Sequence, residues 1–201
     1  MDNASINAWV NWAIYAIVGR MHDADALMRQ RGLAIRTVAD ELQRQLPIEH
    51  KPLYRGMLLD PNAPLATDPA YTFVSWSEDY EVARWFGSRE SYVSELLAEA
   101  KPHLRGFVMM LPAPTVRVLF HYTWANAIGM PLAKFAAVHP LLGREGARQI
   151  DWSLRTQNEV ILEPFAELPV ASPVEAYEGA PVAELDRRFS PPWTISAVRW
   201  S

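Results

Sequence analysis

The sequence predicts an α+β fold, a single domain of 201 residues with a helical N-terminal part over 1–48 and a β-rich core over 50–201. Two observations predict it. Large apolar residues recur at helical spacing through the first 48 residues. After Pro52 the texture changes to short β-branched and aromatic runs separated by Pro- and Gly-bearing turns. A third observation concerns the late run Thr156–Pro164. Read as a strand, it points Gln157 and Glu159 to one face and Val160 and Leu162 to the other.

The first helix is expected over 4–30, capped by Ser5, with Ile6, Trp9, Ala13, Ile17 and Met21 on one stripe. Trp12 and Tyr15 widen that stripe, so both sides of the helix should meet protein. Asp23 and Asp25 are expected to be solvated. Gly32 should separate this helix from a second one over 33–46, with Leu33, Val38, Leu42 and Leu46 inward and Pro47 ending it. Strands are expected at Leu53–Leu59 and, after a Pro- and Asn-rich loop over 60–69, at Tyr71–Ser77. Ser77 is the expected N-cap of a helix with Val82, Trp85 and Phe86 on its apolar face, ending at Gly87. A helix over 92–100 follows, then strands at Gly106–Leu111 and Val116–Tyr122. Short helices are expected at Trp124–Ile128 and Leu132–Val138, and a loop around Gly143–Gly146. After the strand at 157–162, a proline-rich tail leads to a closing strand over 193–200.

Half the residues are apolar and eight are Trp, enough for a large core. The net charge of −4 argues against a generally basic nucleic-acid binder. The charge is uneven, however. Lys101 to Arg144 contains five cations and no carboxylate, while the flanks carry −5 and −4. A phosphate-bearing ligand or a plain solvated face would both account for that segment. With no cysteine, disulfides, thiolate metal sites and a Cys nucleophile are excluded. The five histidines show no metal-ligand spacing, and neither a phosphate loop nor a dinucleotide-fold glycine pattern occurs. The opening Met1-Asp2-Asn3 lacks the positive charge of a secretory leader, and the apolar run from Ala8 to Val18 is too short to span a bilayer. A cytoplasmic protein with no membrane partner is therefore expected.

Three motifs stand in order: Arg55-Gly56 in a strand, Ser75-Trp76-Ser77 at the end of the next strand, and Gln157-x-Glu159 late in the chain. Each alone has an ordinary explanation, as a surface cation, a capping arrangement and an edge strand. Together, Tyr54-Arg55-Gly56, Phe73-Val74-Ser75-Trp76-Ser77 with Ala83 and Phe86 behind it, and Gln157-x-Glu159-Val160-Ile161-Leu162 resemble the signature of mono-ADP-ribosyltransferases of the Arg-Ser-Glu class. The resemblance spans roughly residues 50–165.

The resemblance implies a two-sheet β core with an NAD+ cleft, flanked by the N-terminal helices, with NAD+ consumed as a substrate and no metal. Arg55 would hold the pyrophosphate, for which a planar, permanently charged guanidinium is well suited. The Gly56 backbone would hold the nicotinamide carboxamide. Cleaving the nicotinamide–ribose bond builds positive charge on the ribose, and Glu159 matches the carboxylate that stabilises it. Ser75 would orient Glu159 or the ribose. Ser77 belongs to the same cofactor-binding motif, with support of the strand–helix junction as its stronger role. Arg89 is a candidate for a second phosphate contact. Trp76 stands where Thr is common and is expected on the far face. Trp152 and Arg155, in the expected loop before Gln157, are candidates for acceptor recognition.

Gln157 departs from arginine-modifying relatives, which carry Glu there. It cannot act as a base, and in the family it accompanies asparagine-modifying and guanine-modifying enzymes. A protein side chain is the favoured acceptor. A nucleic-acid base, water (an NAD+ glycohydrolase) and a non-catalytic binding module are the alternatives. A toxin, a delivered effector and a phage modifier of host proteins all fit; the oligomeric state and the role of 123–147 are not legible.

Overall fold

Two helices open the chain, and the break between them lies earlier than the glycine pattern suggests. A computed structural model describes residues 1–49, 51–62, 74–88, 103–112, 116–127, 131–164, 170–173 and 182–189. Helix α1 runs Asn3–Ile17 and α2 runs Met21–Gln45. Gly19, at φ +75°, closes α1, with its N–H bonded to Ala16 O and that of Arg20 bonded to Tyr15 O. This paired arrangement at a left-handed residue is what glycine permits without steric cost. Gly32 is instead buried inside α2, which bends next to it at Arg31 (φ −129°, ψ 15°). The N-cap of α1 is Asp2, whose carboxylate accepts from the N–H and hydroxyl of the expected cap Ser5. Shifting the helix boundary also shifts its faces. Leu33 and Leu46 are exposed, at 81% and 41%, while Val38 and Leu42 are buried as expected. Asp25 is buried and ion-paired with Arg29, contrary to the solvated position expected.

Six strands form one antiparallel sheet in the order β4-β5-β2-β1-β3-β6. They are β1 Leu53–Leu59, β2 Val74–Ser77, β3 Arg105–Leu111, β4 Val118–His121, β5 Glu159–Leu162 and β6 Val170–Pro173. The remaining helices are α3 Tyr80–Gly87, α4 Leu132–Val138, α5 Gly143–Thr156 and α6 Val182–Phe189, with a 3₁₀ turn at Tyr122–Asn126. The two-sheet core expected from the sequence takes the form of one sheet with a weak joint. β1 pairs with β3 along its whole length but with β2 only at Tyr54↔Ser77. Beyond that pair the strands part without further ladder pairs, yet all six remain in one sheet and not in the two expected.

Alternation along β2 and β5 sorts the residues cleanly. Trp76, Val160 and Leu162 join Leu53, Met109 and Leu111 in a cluster on one face, as expected for Trp76. On the other face, Ile161 joins the main core with Trp9, Ile14, Ile35, Leu42 and Phe120, so the N-terminal helices and the sheet share one core. The indole of Trp9 donates to Leu119 O at 2.9 Å, tying α1 to β4. A third cluster, Val82, Trp85, Leu185 and Phe189, packs α3 on α6.

The segment expected as a loop around Gly143–Gly146 is the first turn of α5. Its buried stripe is Gly146, Ile150 and Ser153, only one of them a large apolar side chain, so no periodicity announces it. The expected helix over 92–100 and closing strand over 193–200 lie outside the described residues. None of the described helices is long and apolar enough to cross a membrane.

Candidate active site

The splay between β1 and β2 creates a cavity of about 370 Å³, within the size range of small-molecule sites. Arg55, Gly56, Ser75, Ser77, Gln157 and Glu159 all line it, so the fold gathers the three sequence motifs into one wall system. Arg55 lies on β1 just past the last ladder pair. Its Nη1 donates to Ser75 O at 3.0 Å, bridging the strands where their own pairing has ended. In an antiparallel strand alternate residues turn their N–H and C=O to each side. The stretch of β1 after Tyr54 therefore offers backbone polar groups to the splayed side.

Glu159 stands at the floor, 6% exposed, on the same face as its ladder partner Ser77. The Ser75 hydroxyl donates to Oε1 at 2.6 Å and that of Ser153 to Oε2 at 3.1 Å. Burial pushes the Glu159 carboxyl up from 4.5 to about 7, and the two serine hydrogen bonds only partly oppose it. A carboxyl in this state switches charge near neutrality. At the cavity floor its burial leaves little screening between it and a cationic group.

Gln157 is not on the strand. It is the C-cap of α5, and Asn158 in the left-handed region (φ 45°) turns the chain into β5. Asn is the residue besides Gly that tolerates this conformation best. Gln157 and Glu159 still line the same cavity, but through this turn rather than through strand alternation. Ser77 locks the turn: its hydroxyl donates to Gln157 O at 2.5 Å and accepts from Asp79 N at 2.9 Å. The N-cap of α3 is accordingly Asp79, whose Oδ1 accepts from Glu81 N, and not Ser77. Ser77 therefore supports the junction rather than presenting its hydroxyl to a ligand.

Gly56 has a second reason to be glycine. A Cβ placed on it would sit 1.8 Å from Ala83 O and 2.4 Å from Gly87 N, so α3 packs directly on the strand backbone. Trp152 and Arg155 lie on α5 and not in a loop. Trp152 is half-buried against the α3–α6 cluster, and Arg155 is an exposed cation paired with Asp151 on its own helix. Neither lines the cavity. Arg89 lies outside the described residues.

Sequence reasoning missed Ser153, which is 1% exposed and touches both Gln157 and Glu159. Ala16, near the end of α1, is not singled out by the sequence, and Met21 and Val82 read there only as apolar helix-face positions; with Ala83 and Phe86 they give the cavity its apolar side. Among the described residues no group of three or more His, Asp or Glu side chains could hold a metal ion. No family model matches the chain, and no curated protein or solved structure does.

Proposed function

We propose that this chain is a mono-ADP-ribosyltransferase that transfers ADP-ribose from NAD+ to a protein side chain, acting in a bacterial or host cytosol. The observation that carries this reading is the buried carboxylate of Glu159, held by the Ser75 hydroxyl at 2.6 Å on the floor of a cavity that Arg55 and Gly56 also line. The residues fit the dinucleotide by chemistry. Arg55 supplies a permanent, planar cation for a pyrophosphate. The splayed edge of β1 supplies backbone donors and acceptors for a carboxamide, and Val82, Ala83 and Phe86 supply an apolar wall for an aromatic ring. NAD+ would bring a ribose–nicotinamide bond whose cleavage places positive charge on the ribose. Glu159, desolvated and fixed by two serines, is preorganised to stabilise such charge, and this is the largest single contribution expected of the protein.

Two features favour a protein acceptor over a nucleic-acid base. The net charge is negative. Arg117, in the basic central segment, is committed to ion pairs with Asp40 and Glu163. Mass spectrometry of cells expressing the wild type and Glu159→Gln tests the reading. ADP-ribose on protein side chains, present with the wild type and absent with the variant, is expected. Label that resists protease but is lost to nuclease would move the acceptor to a nucleic-acid base, and free ADP-ribose alone would leave a glycohydrolase.

A further inference from the structure

The Ser153 hydroxyl sits 3.1 Å from Gln157 Oε1 and 3.1 Å from Glu159 Oε2, inside the core at 1% exposure. One hydroxyl carries one proton, so it cannot donate to both acceptors at once. The conflict has two resolutions, one for each charge state of Glu159. With Glu159 ionised, Ser153 donates to the carboxylate. The Gln157 amide must then present its NH2 to Ser153 Oγ, which leaves its carbonyl oxygen for the cavity. With Glu159 protonated, the carboxyl O–H donates to Ser153 Oγ, and the Ser153 proton goes to Gln157 Oε1. The amide oxygen and nitrogen exchange places between the two states by rotation of a partly exposed side chain that lines the cavity.

We propose that Ser153 is a positioning residue that couples the charge of Glu159 to the orientation of the Gln157 amide through a reversible hydroxyl relay. The backbone is built to bring the three groups together. Ser153 lies one helical turn before Gln157, and its backbone carbonyl accepts the Gln157 N–H at 2.9 Å. The left-handed Asn158 then folds Glu159 back beneath the helix. The consequence deepens the reading above, on which its functional part rests. In the ionised state, the one suited to stabilising positive charge, Gln157 shows the cavity a hydrogen-bond acceptor. The site is then selective for an incoming nucleophile that donates an N–H or O–H. In the protonated state Gln157 shows a donor, and the nucleophile's N–H or O–H loses its acceptor there. Acceptor orientation and reactivity are thus switched together. Among the described residues lining the cavity, the other charged or titratable side chains are Arg55 and Tyr54 on β1; the lining residues of α1, α2 and α3 are apolar.

The test is titration of Glu159 by carbon-13 NMR of its side-chain carboxyl, assigned with Glu159→Gln, in wild type, Ser153→Ala, Gln157→Met and the double variant. It needs no turnover, so a failed transferase assay and a failed relay are separate results. Ser153→Ala is expected to raise the Glu159 midpoint by roughly one pH unit, because a hydrogen bond to the charged form is lost. Gln157→Met is expected to raise it in the wild-type background and to have no further effect once Ser153 is Ala. Ser153→Cys, with its weaker donor, is expected to fall between wild type and Ser153→Ala, and substitutes for it if the alanine variant does not fold. An unchanged midpoint in the Ser153 variants, or an equal Gln157→Met shift in both backgrounds, would overturn the relay.

Discussion

Ser75 and Glu159, 84 residues apart in sequence, meet through a 2.6 Å hydrogen bond between neighbouring strands β2 and β5. The bond is directional and has an electrostatic consequence. Ser75 donates to the carboxylate and so favours its charged form, while the surrounding core disfavours it. The side chain most suited to chemistry is therefore held between two opposing influences, and its protonation is sensitive to either.

Stability should record that tension. Glu159 has a folded-state pKa of about 7 against 4.5 for an ordinary glutamate, so the folded state binds more protons between those values. Stability falls as pH rises from about 4.5 to 7 and levels off above. Glu159→Gln removes the titration. It should match the wild type near pH 4 and exceed it at pH 8 by on the order of 3 kcal/mol. Urea unfolding at the two pH values measures this, and a difference that does not change with pH would contradict it.

Gly56→Ala should be costly for the fold itself. The new methyl would meet the backbone of α3 at Ala83 and Gly87, which cannot yield as a side chain would. A loss of about 3 kcal/mol, or a fall in melting temperature of roughly 10 °C, is expected. An unchanged melting temperature would mean that α3 does not rest on β1 in this way.

The two serines of the second motif should separate in their effects. Ser77→Ala removes the clamp between Gln157 O and Asp79 N in a buried place, and should cost about 1–3 kcal/mol of stability. Ser75→Ala should leave the fold nearly as stable near pH 4, where Glu159 is protonated, lower its stability at pH 8, and shift the pH dependence of kcat/KM for NAD+ upward, because it withdraws a hydrogen bond from ionised Glu159. Calorimetry and a pH–rate profile on both variants give the comparison.

Much of this site can be read from the sequence, because its main parts lie on strands with β-branched and aromatic patterns. Arg55, Ser75 and Glu159 fall on β1, β2 and β5 as expected, and the ladder does the rest. The neighbourhood of Gln157 is read wrongly for a local reason. Thr156-Gln157 looks like the start of a strand but ends α5, and the strand begins only after the left-handed Asn158. An Asn between a polar helix and a β-branched run is the signal that was available. Ser153 escapes because α5 buries a glycine, an isoleucine and a serine, a stripe that carries no apolar rhythm. The misplaced helix break has a similar cause. Gly19 and Gly32 look alike in sequence, but only Gly19 adopts a positive φ, whereas Gly32 lies buried beside the bend of α2, where a Cβ would meet the Met28 and Arg36 side chains of the same helix.

The central claim is that Glu159 acts on NAD+, and nicotinamide release from NAD+ tests it most directly, measured at pH 8 with wild type and Glu159→Gln at equal folded concentration. A fall on the order of 10²–10³ in kcat for the variant, with no loss of stability, is the predicted result. Release by Glu159→Gln within a few-fold of wild type would contradict it.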